Sequence, residues 1–186
     1  MGAIRRSAPR IYELAITLSD VEPPVWRRLR VSSGATLSRA ARIIALSMGW
    51  PPGRPYAFHV LGLEYAREAP GPDRGNGRAE SGVPEEVRLR QVLPDAGAEL
   101  EFEYGNGHPW HLQVRLERLL PPNDDVVTPW CEAGGGAAPP MDVGGPWAWE
   151  ERRSADLGED ASEIAPGFNR DVVNAEYADE RRGRRA

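Results

Sequence analysis

Thr36-Leu37-Ser38-Arg39-Ala40-Ala41-Arg42-Ile43-Ile44-Ala45-Leu46-Ser47-Met48-Gly49-Trp50 is the stretch whose reading decides the fold. Leu37, Ala41, Ile44 and Met48 recur at helical spacing and make one buried stripe of a helix over 37–48. Thr36 stands where an N-cap belongs, its side-chain oxygen accepting from a free backbone N–H. Gly49 suits the left-handed conformation that ends a helix, and Trp50 can fold back over the last turn.

Strands flank this helix on both sides. Upstream, residues 11–18 set Tyr12, Leu14, Ile16 and Leu18 against Glu13 and Thr17, the alternation of a half-buried strand. After a connection at Val21-Glu22-Pro23-Pro24, residues 25–31 alternate again, with Val25, Leu29 and Val31 opposite Trp26, Arg28 and Arg30. An antiparallel pair is the simplest arrangement. Downstream, Tyr56, Phe58 and Val60 mark a third strand and Leu63 to Tyr65 a fourth after a turn at Gly62. Residues 67–85 lose periodicity and read as a mobile loop, followed by a helical turn at Val87 to Leu93. Residues 99–104 and 111–117 form a hairpin closed by Gly105-Asn106-Gly107-His108-Pro109, its glutamate face pairing with Arg115. Beyond Leu120 the chain is Pro/Gly-rich to Trp149, then polar, with a last helix from Asp171 to Arg182 capped by Asn169. The order predicts an α+β fold, β-grasp-like, with a mixed sheet crossed by one main helix.

A length of 186 residues fits one domain spanning 1–186. The formal charge of -5 argues against a general binder of polyanions, and every basic side chain is arginine. The lone cysteine, Cys131, excludes an intrachain disulfide and points to a reducing compartment. Met1 to Arg10 lacks the apolar run of a secretory signal, and nothing approaches a membrane span, so a cytoplasmic protein is expected.

Four segments carry a family resemblance. They are Ile11-Tyr12-Glu13-Leu14 through Pro23-Pro24-Val25-Trp26-Arg27-Arg28; Thr36-Leu37 through Met48-Gly49-Trp50; Phe102-Glu103-Tyr104, Gly107, Trp110 and Val114 to Glu117; and Cys131, Gly134, Pro139-Pro140, Asp142, Gly144-Gly145-Pro146-Trp147 and Trp149. In order and spacing they resemble the Ri-plasmid ORF-three-like family, also called insertion-element passenger proteins, over roughly Ile11 to Asn174. The resemblance implies Asp-Phe-Gly-Asp ahead of the tryptophan and a histidine two positions after it. Here Gly105, Asn106, Gly107 and His108 precede Trp110, and Leu112 follows. The family's histidine before the third-strand phenylalanine is Tyr56, and its extra cysteines are Ala138 and Val143. If the family builds a metal or acid/base site from those groups, this chain has lost it.

Candidate chemistry is sparse. His108 and His111 with Cys131 and Asp142 offer donors for a soft metal site, although Pro109 bends the chain between the histidines and exposed turn residues are the plainer reading. Asp142 with Asp124 and Asp125 offers paired carboxylates without a nucleophile, and Asp124-Asp125 also fits an ordinary turn. Gly134 to Gly136 lacks the lysine and hydroxyl of a phosphate-binding loop. Trp26, Arg28 and Arg30 share a strand face, with Arg5, Arg6 and Arg10 near in sequence, the aromatic and arginine interleaving that single-stranded nucleic acid uses; a solvated face is the alternative. Trp130, Trp147 and Trp149 in a Gly/Pro loop mark a binding surface or cap an open end of the core. Trp110 joins these candidate binding residues. The expectation is a non-catalytic binding or accessory module directed at a protein, with no catalytic residue, cofactor or metal. The alternatives are a nucleic-acid-binding accessory of a mobile element and a degenerate metal-dependent enzyme.

Overall fold

The computed structural model describes residues 8–67, 86–155 and 167–183. The expected loop over 67–85 falls outside them apart from Arg67, as do Arg5 and Arg6.

The main helix, α1 (Leu37–Ser47), forms as its sequence dictates. Thr36 Oγ1 accepts from Arg39 N at 3.2 Å, Gly49 takes φ 74°, and Trp50 N–H returns to Ala45 O at 2.9 Å. Its buried stripe lies on a seven-stranded sheet of β1 (Ile11–Leu18), β2 (Trp26–Ser32), β3 (Tyr56–Val60), β4 (Leu63–Arg67), β5 (Glu99–Tyr104), β6 (Trp110–Leu120) and β7 (Trp130–Gly135), in the order β4-β3-β5-β6-β1-β2-β7. Tyr12, Leu14 and Ile16 of β1, Leu29 of β2, Phe58 of β3, Phe102 of β5 and Leu112 of β6 share one core with α1. A short helix, α2 (Leu89–Val92), lies beside the start of α1, where Leu89 N–H donates to Ala35 O and Leu37 N–H to Val87 O.

Three findings depart from expectation. Every pairing in the sheet is antiparallel, so it is not mixed: β1 sits between β2 and β6 and runs opposite to both. The structure is α+β, and the parallel pair that a mixed sheet needs is missing from the described strands. Second, the Pro/Gly-rich stretch is not all loop, since it contains β7 and a helix, α3 (Pro146–Ala155). Third, Arg27 and Glu13 are buried. Arg27 shares the inward parity of Val25 and Leu29. Its guanidinium donates to the carbonyls of Ser47, Trp26, Gly135 and Gly136 and lies 4.4 Å from the Phe168 ring centroid. Burial pulls its pKa down to about 10, which leaves it charged at neutral pH. Glu13 stays on the outer face as expected, covered by Arg30 and Arg118.

The last helix, α4 (Arg170–Gly183), matches its predicted span to a residue at either end, and Asn169 caps it by accepting from Asp171 N at 2.9 Å. Tyr177 docks it on α1 by donating to Ile43 O at 2.9 Å.

Candidate functional site

Where α1 begins, the ends of β1 and β2, the 52–56 loop and the 88–94 segment enclose an open cleft of about 1650 Å³. Arg10, Arg39, Arg42, Arg54, Arg67, Arg88 and Arg90 all line it, and among the described residues no lining residue is acidic. Local structure fixes these positions. Arg88 pairs as an isolated bridge with Thr36, and Arg90 N–H donates to Ser33 O, so both side chains flank the first turn of α1. That turn carries no acidic residue, leaving its partial positive charge unopposed. Arg54 is set by Tyr104, whose hydroxyl donates to Pro51 O at 2.8 Å and accepts from Arg54 N at 3.4 Å.

The field inside the cleft is positive. Burial raises the phenol pKa of Tyr12, while Arg10 and Arg90 oppose the rise; Tyr104 is raised by burial against Arg54 and Arg42. Arg42 is within 3.4 Å of Glu180 and Arg54 within 3.3 Å of an exposed Asp142. Arg10, Arg39 and Arg90 have no carboxylate partner among the described residues. A cleft lined by one sign of charge focuses the field and raises the local concentration of oppositely charged solutes.

The residues singled out from sequence lie elsewhere and do not converge. Trp26, Arg28, Arg30 and Trp130 share the outer face of β2 and β7. Glu117 holds Arg28 at 2.7 and 3.1 Å, and Glu13 and Glu132 hold Arg30, so both charges are already matched. Trp110 is fully buried and stacks on Trp50 with ring centroids 5.9 Å apart. Trp149 is buried, whereas Trp147 is 77% exposed on α3. Trp147, His108 and His111 border a small hollow of about 280 Å³.

His108, His111 and Cys131 do not meet. Cys131 is enclosed in β7, its backbone N–H and C=O bonded to Asn174 at 2.8 and 3.0 Å. Burial lifts its thiol pKa from 9.0 to about 11. A thiol reagent at pH 8 should therefore label Cys131 only as fast as the chain opens; rapid labelling of the folded protein would contradict that burial. Because the folded thiol holds its proton more tightly than the unfolded one, its contribution to stability is intact below pH 9 and fades as pH climbs toward 11. His111 instead turns to two glutamates: its Nδ1 lies 2.9 Å from Glu101 Oε1 and 3.7 Å from Glu103 Oε1. His59 Nε2 lies 3.1 Å from Glu103 Oε1.

Sequence reading missed both the cleft and this second cluster. Strand alternation placed Glu101, Glu103 and His111 on polar faces, but only the register of β3, β5 and β6 brings His59 to them.

The architecture is that of a small α+β protein with a helix-crossed antiparallel sheet and a basic cleft. The chain belongs to the plasmid pRiA4b ORF-3-like protein family, whose model matches residues 10–177. It is 31% identical over 142 residues to uncharacterized protein y4hQ of Sinorhizobium fredii (strain NBRC 101917 / NGR234), covering 76% of this chain and 70% of that protein. Among solved structures it is similar to MM3350 of Methanosarcina mazei Go1, described as a protein of unknown function. There the TM-score is 0.73 at 25% identity, covering 91% of this chain and 99% of the other. No helix among the described residues is long and apolar enough to cross a membrane.

Proposed function

We propose that this chain is a non-catalytic binding module that takes an acidic segment of a partner protein into the arginine cleft. The observation that carries the reading is the gathering of seven arginines around one opening, three of them (Arg10, Arg39 and Arg90) without a carboxylate partner among the described residues, in a chain whose formal charge is -5. Guanidinium forks match carboxylates two bonds at a time, and clustered arginines are a recurring means of reading acidic or phosphorylated segments. Ser32, Ser33, Ser38 and Thr36 add hydroxyls along the same wall.

Nucleic acid fits this opening less well. Single-stranded binders pair their cations with exposed rings on which bases stack. The cleft's tyrosines, Tyr12, Tyr56 and Tyr104, are all buried. On the outer face, where Trp26 and Trp130 are partly exposed, Arg28 and Arg30 are neutralised by glutamates.

Fluorescence anisotropy with a labelled oligoglutamate peptide, beside an oligothymidylate of equal length at physiological ionic strength, tests the proposal. The expected result is saturable peptide binding that weakens as salt rises, and weaker binding of the oligonucleotide. Tighter binding of the oligonucleotide would replace this reading with the nucleic-acid one.

A further inference from the structure

On the opposite face of the sheet, β5 and β6 bring Glu101, Glu103 and His111 together with His59 of β3 beside them, a set that contains none of the family positions now occupied by Gly105, His108 and Leu112. We propose that His59, Glu101, Glu103 and His111 form a binding site for a single zinc-class divalent cation. The pleat puts Glu101 and Glu103 on one face of β5 because side chains two apart point the same way. His59 pairs in register with Glu101 on one side, and His111 with Glu103 on the other.

The donor geometry suits an ion. Donor atoms of Glu101, Glu103 and His111 all lie within 4.8 Å of one another. Tetrahedral zinc, with bonds of about 2.0–2.2 Å to nitrogen and oxygen, sets its ligand atoms about 3.3 Å apart. The separations of His111 Nδ1 from Glu101 Oε1 and Glu103 Oε1, 2.9 and 3.7 Å, fall around that value, and His59, outside that group of three, approaches it through Glu103 Oε1 at 3.1 Å. His59 Nε2 is shielded from solvent and sits beside Glu103 Oε1 without the direction of a hydrogen bond, so in its Nδ1–H tautomer that nitrogen has a lone pair to give to an ion. The four side chains are 31–40% exposed, open enough for an ion to enter.

Donor chemistry narrows the ion. Two imidazoles with two carboxylates favour zinc and its neighbours over magnesium or calcium, which take oxygen almost exclusively. Two ionised carboxylates also balance a dication. Binding needs a bare His111 Nδ1, so the ion displaces any proton held between that atom and Glu101 Oε1, and the proton leaves to solvent. This site departs from the expectation of no metal drawn from the missing family residues, and of the sequence candidates His108, His111 and Cys131 it keeps His111 alone.

Calorimetric titration of zinc into the untagged full chain tests this, alongside His59→Ala, His111→Ala and Cys131→Ser. The expected result is about one zinc per chain in the wild type and C131S, with affinity at least about tenfold lower in each histidine variant. Absence of saturable binding, several weak sites, binding unchanged in both histidine variants, or loss in C131S would each overturn the proposal. Where a histidine variant fails to fold, Glu103→Gln takes its place, and the wild type is loaded with cobalt(II). The visible bands of tetrahedral cobalt must then appear, and must diminish in E103Q; their absence, or persistence unchanged, counts against the site. The cleft plays no part in this test, so its outcome is independent of acidic-peptide binding.

Discussion

Trp110→Ala should lower the free energy of unfolding by about 3–5 kcal/mol, the range for truncating a buried aromatic side chain. The ring is fully buried and stacks on Trp50, which stacks in turn on Tyr104 at 5.9 Å with planes 4° apart. Trp50 is fixed by its indole N–H, which donates to Pro139 O at 2.8 Å. Truncation leaves a void against the Trp50 ring, which its hydrogen bond to Pro139 O and its stack on Tyr104 hold in place. The indole nitrogen of Trp110 has no hydrogen-bond partner among the described residues, so Trp110→Phe loses area without breaking a hydrogen bond. Its cost should be roughly a third of that of W110A. Urea unfolding of both variants checks the pair. Equal stabilities for W110A and the wild type would mean that Trp110 is a surface binding residue after all. The consequence reaches the cleft, because Tyr104 ends the stack and its hydroxyl holds the loop that presents Arg54.

The double variant Arg39→Glu/Arg90→Glu should bind the acidic peptide at least about a hundredfold more weakly, near the upper end of effects for charges that meet a ligand directly. Both arginines line the cleft and neither has a carboxylate partner among the described residues, so reversing them breaks no ion pair described there. Each change removes one attractive charge and adds a repulsive one, and the new carboxylates stand among the remaining arginines. The thermal melting point should stay within a few degrees of the wild type. Reversal on the other face, Arg28→Glu, should leave peptide binding unchanged and cost modest stability through the loss of Glu117 as a partner. Anisotropy and a thermal melt on the same preparations separate these outcomes. A double variant that binds as tightly as the wild type would move the ligand away from the cleft.

Much of the architecture was legible because local signals agreed with the tertiary result. Thr36, the stripe from Leu37 to Met48, Gly49 and Trp50 specify one helix completely, and strict alternation in 11–18 and 99–104 left no second choice of strand face. β7 failed to register because Gly134 and Gly135 weaken any strand signal. Their reason is tertiary: a Cβ on Gly134 would lie 2.8 Å from the Phe168 ring, and one on Gly135 would lie 2.6 Å from Trp26 Nε1. α3 was hidden by the Pro/Gly context before Pro146, a residue that suits the first turn of a helix. Arg27 could have been found, since its parity with Val25 and Leu29 places it inward. The cleft could not. Its arginines are spread from Arg10 to Arg90 over five elements and loops, and only the folded chain assembles them. The histidine–glutamate cluster depended likewise on cross-strand register, which no single strand encodes.

The central claim is that the arginine cleft is the binding surface, and amide chemical shifts of the wild-type protein titrated with the oligoglutamate peptide test it most directly. The account predicts that the amides of Ser33, Thr36, Ser38, Arg39 and Arg90 move together and saturate at one peptide per chain. Shifts confined to Trp26, Arg28, Arg30 and Trp130, with the start of α1 unmoved, would contradict it.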